Sequence, residues 1–131
     1  MSDFGKLLTA VITPFDNNGV LNTDTLWRLC KKLVHEKSDG LVLSGTTGES
    51  PNLTKEDRKI IYSTAKDSVG DKAKIIAGTG TYSTKESIEY TKMANDIGVD
   101  GIMIVTPYYS KPSQFGICLL YTSDAADDSL R

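Results

Sequence analysis

The chain has 131 residues, one domain's worth and too few for two. It carries 15 Lys and Arg against 17 Asp and Glu, a net charge of −2, so the basic footprint of a nucleic-acid binder is missing. No apolar run reaches the ~18–20 residues of a membrane span. The first residues lack the basic-then-apolar order of a signal peptide. Two cysteines, Cys30 and Cys118, make neither a disulfide framework nor a zinc spacing. The expectation is a cytoplasmic protein with no nucleic-acid or membrane partner.

The first element is the apolar run within Lys6–Thr13, which ends at Pro14 and reads as a buried strand. Asp16-Asn17-Asn18-Gly19 is turn chemistry. From about Asp24 to Lys37, Leu26, Leu29, Cys30, Leu33 and Val34 form the stripe of an amphipathic helix. Gly40–Ser44 is a second strand. Thr54 caps a helix to about Val69, with Ile60, Ile61 and Ala65 inward. Lys74–Ala77 is a third strand. Ser83-Thr84-Lys85-Glu86 fits a capping box. The helix it opens turns Ile88, Thr91, Ala94 and Ile97 inward and stops at Gly98. Gly101–Val105 is the fourth strand.

Strands recur about every 30 residues, the length of a βαβ step, and are nearly all apolar. This predicts an α/β chain of parallel (β/α) units with right-handed crossovers. After Gly116 the rhythm fails. Residues 117–131 put their apolar cluster first and their acids last, with neither helical nor strand period sustained. They read as a tail foreign to residues 1–116.

The polar residues of interest all follow strand ends: Thr13-Pro14, Gly45-Thr46-Thr47-Gly48-Glu49-Ser50, Gly78-Thr79-Gly80 and Thr106-Pro107-Tyr108-Tyr109. In a parallel sheet these points share the carboxyl edge, where α/β proteins put their ligands. Gly45–Gly48 suits either a tight βα turn or a nest for a small anion. It is not a P-loop, and Gly78-Thr79-Gly80 lacks the context of a dinucleotide fingerprint. Of Tyr108 and Tyr109, one reads as core and one as exposed. His35 and Lys111 read as surface residues, and Cys30 as inert core. No cluster of His, Cys and Asp suggests a metal.

Thr13-Pro14-Phe15, Gly45–Ser50, Ala77–Gly80 and Val105-Thr106-Pro107-Tyr108-Tyr109-Ser110-Lys111-Pro112-Ser113-Gln114 resemble, in order and spacing, the dihydrodipicolinate synthase family. The resemblance covers about residues 4–116. The Gly-Thr-Thr-Gly-Glu loop marks the wider pyruvate-dependent aldolases, N-acetylneuraminate lyase among them. Thr-Pro-Tyr-Tyr with Lys-Pro-Ser-Gln favours the synthases. The resemblance implies the first half of a (β/α)8 TIM barrel, truncated here, and a homotetrameric parent. A lysine there forms a Schiff base with pyruvate, and the enamine attacks L-aspartate 4-semialdehyde on the route to diaminopimelate and lysine. It implies no metal and no organic cofactor. Carried onto this sequence, Thr46 and Tyr109 are the catalytic proton-relay residues, Tyr109 being lent to a neighbouring subunit, and Thr47 binds the pyruvate carboxylate.

Two family features do not occur in the sequence: the Tyr-Asn-x-Pro-x-Arg segment and the strand bearing the Schiff-base lysine. The resemblance places both beyond residue 131, so the piece as it stands is expected to be inactive. The match fails near Ile117, and Leu119–Asp128 resembles translated sequencing-adapter DNA. Lys55, Arg58 and Tyr82 fall near the positions where some family members bind lysine as a feedback inhibitor. Two cations there disfavour a cationic ligand. The competing readings are another pyruvate aldolase, such as N-acetylneuraminate lyase, and a non-catalytic anion-binding α/β fragment.

Overall fold

The computed structural model describes residues 3–125. Four strands lie in chain order in one parallel sheet: β1 (Leu8–Ala10), β2 (Gly40–Leu43), β3 (Lys74–Gly78) and β4 (Gly101–Met103). Helices α1 (Thr23–His35), α2 (Lys55–Val69) and α3 (Thr84–Ile97) make the crossovers, and α4 (Gln114–Ala125) follows β4. The βαβ rhythm and the parallel sheet agree with the sequence pattern.

Each crossover helix starts on a side-chain cap. Asn22 accepts from Thr25 N–H at 3.0 Å. Thr54 and Asp57 form a full capping box at the head of α2. At α3 Ser83 accepts from Glu86 N–H, but the Glu86 carboxylate takes the Thr81 hydroxyl instead, so only half of the expected box forms. α3 ends at Gly98 with φ +82°, its N–H returning to Ala94 and Asn95.

The register sorts each strand into two faces. Leu41 and Leu43 of β2 and Ile75 and Ala77 of β3 face the helices. They pack there with Leu26 and Cys30 of α1 and with Ile61, Tyr62 and Ala65 of α2. The other face carries Leu8, Val42, Ile76 and Met103, and Leu8 and Met103 are exposed at the two edges. Against the expectation of a buried strand, β1 exposes Leu8 and Ala10 and half-buries Thr9, and burial in this run falls on Val11 and Thr13 beyond the strand.

Two aspartates fasten the amino ends of the strands. Asp39, just before β2, accepts from the N–H groups of Lys6 and Leu7 at 2.8 and 2.9 Å, ahead of β1. Asp100, just before β4, accepts from Ile75 N–H at 2.9 Å and from the Lys74 ammonium at 3.1 Å, at the start of β3. Each is followed by a glycine with a neighbour pressed against it. A Cβ on Gly40 would meet Leu8 at 2.7 Å, and one on Gly101 would meet the Phe4 ring at 2.8 Å.

The described part of the tail is helical, against the sequence expectation. Phe115 and Leu119 of α4 are exposed, and only Leu120 is fully buried. Ser113 accepts from Gly116 N–H at the helix start, and the Tyr121 hydroxyl meets that of Thr106 at 3.0 Å. Backbone hydrogen bonding thus makes the helix without an amphipathic pattern. The acidic pair Asp127-Asp128 lies outside the described residues.

The Asp39 carboxyl is held below its ordinary value by the Leu7 and Lys6 N–H groups. Burial would raise that of Asp100, but the Ile75 N–H and the Lys74 ammonium outweigh it and lower the group. Groups lowered by folding stabilise above the unfolded carboxyl value, about 3.9, and lose that stabilisation as pH falls. Thermal melting should therefore weaken as pH drops below about 4, and Asp100→Asn should flatten that slope while leaving the neutral-pH value lower. In the same assay, Ile75→Ala should cost about 2–5 kcal/mol at any pH.

Candidate functional site

The carboxyl ends of the four strands are tied in series. The Thr13 hydroxyl, after β1, donates to Gly48 C=O at 2.7 Å in the loop after β2. Ser44, just after β2, lies against Gly78, ending β3. A Cβ on Gly78 would stand 2.3 Å from the Ser44 carbonyl oxygen. Thr79 and Gly80 N–H groups donate to Met103 C=O at 3.1 and 3.4 Å, joining β3 to β4. A Cβ on Gly80 would meet Val105 N at 2.4 Å.

The threonine turn is closed by its own backbone. Glu49 N–H returns to Thr46 C=O and Ser50 N–H to Gly45 C=O. Two non-glycine residues take left-handed backbone here, Ser44 (φ +54°) and Glu49 (φ +56°), a strain that sites tolerate when surrounding contacts enforce it. The Thr46 and Thr47 side chains are exposed, and neither hydroxyl is used among the described residues. The turn is thus the tight βα turn of the sequence reading, and it leaves two hydroxyl donors uncommitted.

Beneath the turn lies a polar cluster that sequence reasoning did not foresee. Arg58 of α2 is 2% exposed and donates to Gly78 C=O at 2.7 Å and to Ser50 O and Oγ at 2.8 Å. Its guanidinium lies 4.6 Å from the centre of the Tyr90 ring. The Tyr62 hydroxyl donates to the same Gly78 C=O at 2.9 Å, and burial pushes its phenol above the ordinary value. Only its position carried a signal in the sequence. Arg58 heads the stripe Ile61, Tyr62, Ala65 and Val69 at helical spacing.

A cavity of about 530 Å³ opens at this edge, walled by Thr46, Ser50, Gly78, Gly80, Met103 and Tyr108. Thr47 and Tyr109 lie outside its lining. Tyr109 is 97% exposed at φ +68°. Tyr108 is half-buried, edge-on to Tyr82 at 5.7 Å. The positions read as a feedback pocket are engaged otherwise: Lys55 pairs with Glu89 at 3.5 Å, and Arg58 is buried. His35 and Lys111 are exposed, and Cys30 is buried with its thiol pushed up to about 11. No group of three His, Cys, Asp or Glu able to hold a metal occurs among the described residues, and none of their helices is long and apolar enough to cross a membrane.

Four parallel β/α units with a ligand-sized cavity at the carboxyl edge define a piece of a (β/α) barrel enzyme fold. The chain belongs to the dihydrodipicolinate synthetase family, whose model matches residues 3–130. A 4-hydroxy-tetrahydrodipicolinate synthase of Desulforudis audaxviator is 52% identical over 115 residues, covering 88% of this chain and 39% of the relative. The dihydrodipicolinate synthase structure from Bacillus anthracis superposes with a TM-score of 0.91 at 42% identity, covering 95% of this chain and 43% of that one. The N-acetylneuraminate lyase of Mycoplasma synoviae superposes with a TM-score of 0.88 at 29% identity, covering 93% and 43%. The chain thus spans well under half the length of the proteins it matches, and corresponds to the amino-terminal half of their TIM barrel.

Gly78→Ala should cost about 1–3 kcal/mol in denaturant unfolding, since its new methyl meets backbone on a neighbouring strand. Gly45→Ala meets only the flexible tip of Met103 at 3.0 Å and should cost less than half as much.

Proposed function

We propose that this chain is the amino-terminal half of a 4-hydroxy-tetrahydrodipicolinate synthase. In this reading the whole enzyme condenses pyruvate with L-aspartate 4-semialdehyde. The observation that carries it is the cavity bounded by Thr46 and Tyr108, with the free donors of the threonine turn at its rim. Pyruvate's carboxylate binds Thr47. A lysine outside these 131 residues attacks the keto carbon and, with loss of water, forms the imine. The imine nitrogen then takes up electrons as a methyl proton leaves, giving the enamine that attacks the aldehyde carbon. Covalent activation of this kind calls for neither a metal nor an organic cofactor.

Thr46 and Tyr109 relay the proton. A tyrosine that is 97% exposed and held at a left-handed φ suits a group lent to a neighbouring subunit. The parent is then a homotetrameric cytoplasmic enzyme of diaminopimelate and lysine biosynthesis. The domain boundary at residue 116 also belongs to the proposal. α4 crosses that boundary and the family match runs past it to residue 130, so resequencing the source DNA beyond the Gly116 codon decides it. A second reading, N-acetylneuraminate lyase, draws support from the similar structure of one. The Lys111-Pro112-Ser113-Gln114 segment favours the synthase.

Borohydride trapping with pyruvate should leave the 131-residue chain unmodified and label the full-length protein; a stable adduct on the short chain would overturn the placement of the lysine. In the full-length protein, Thr46→Val and Tyr109→Phe should each lower kcat by about 10²–10⁴, and Thr47→Ala should raise KM for pyruvate. Free lysine should inhibit weakly or not at all in an enzyme titration, because Lys55 already holds the Glu89 carboxylate and the buried Arg58 charge opposes a further cation.

A further inference from the structure

Arg58 is buried yet has no carboxylate partner among the described ion pairs. A buried cation without a counter-ion is expensive and persists only when other groups solvate it. Here two carbonyls, one hydroxyl and the face of Tyr90 do so, while Nε is left without a partner. Both residues that accept from Arg58, Gly78 and Ser50, line the cavity. They come from different segments. Gly78 ends β3, and Ser50 closes the turn that carries Thr46 and Thr47.

We propose that Arg58 is a positioning residue of this site. It clamps the threonine turn to the end of β3 and sets a fixed positive charge behind the cavity wall. The carboxylate of a bound 2-keto acid then supplies the counter-charge that no ion pair among the described residues provides. The proposal rests on the pyruvate reading above. A planar fork is needed for the clamp, because its two nitrogens reach two separate carbonyls at once. A lysine at this position keeps the charge and loses the fork. Tyr62 holds Gly78 from the same helix, so loss of Arg58 frees the Ser50 end of the turn first.

The test uses the full-length protein with Arg58→Met and Arg58→Lys. One readout is half-saturation by pyruvate in borohydride trapping. The other, independent of any ligand, is amide hydrogen exchange at Glu49 and Ser50, whose N–H groups close the turn. Half-saturation should rise about tenfold or more in Arg58→Met, as expected for losing the charge-assisted bonds that hold the turn and the charge behind it, and less in Arg58→Lys. Exchange at Glu49 and Ser50 should quicken in both variants, with α1 amides unchanged. A purely structural role would lower Tm and leave half-saturation untouched in the folded variants. That result, or unchanged exchange at the turn, overturns the proposal. If the unaltered protein traps no pyruvate, the functional reading falls, and the exchange data alone decide the clamp. Arg58→Lys keeps the test decisive should Arg58→Met fail to fold.

Discussion

The carbonyl oxygen of Gly78 accepts from the Arg58 guanidinium and from the Tyr62 hydroxyl, and the rest of the site hangs on that double acceptance. A carbonyl has two lone pairs, and both are used. The same residue gives up its side chain so that the Ser44 backbone can lie against it. Strand, neighbouring strand and covering helix therefore meet at one peptide unit. The threonine turn inherits its position from this junction through Ser44 at one end and Ser50 at the other. Its own hydroxyls stay free because other atoms hold the backbone.

The two ends of the sheet are built differently. At the amino end, carboxylates of Asp39 and Asp100 satisfy backbone donors close to water, where such bonds are individually modest and pH-sensitive. At the carboxyl end, the fastening is a buried cation, a buried phenol and glycines that admit close backbone approach. That end pays no pH dependence through carboxylates. It suits a surface that has to present uncommitted polar groups to a ligand.

Much of the fold was legible in the sequence because it rests on periodicity. The α1 stripe through Leu26 and Cys30, the Thr54 cap and the Gly98 stop each follow from local rules, and all recur in the structure. The strand-end polar residues were legible as a group because parallel topology brings them to one edge. Other features were not. Arg58 carries a charge, and charge on a helix ordinarily marks the solvated face; its burial depends on carbonyls from two distant segments. The pinning role of Asp39 and Asp100 was hidden for the same reason, since their acceptors serve strands 25 to 33 residues away. The helix at Gln114–Ala125 escaped notice because it lacks an apolar stripe, so no periodic signal announced it.

The two Asp-Gly corners divide the sheet into matched couples. Asp39 belongs to β2 and secures β1; Asp100 belongs to β4 and secures β3. Between β2 and β3 no such carboxylate stands among the described residues, and the join is made by backbone ladder and apolar contact instead. Each couple is thus a cassette with its own carboxylate latch, and the Asp39 carbonyl joins the two by accepting from Lys74 N–H at 2.9 Å. A genetic duplication that copies one cassette carries its latch along, whereas one that splits a cassette leaves a strand whose first donors have lost their acceptor.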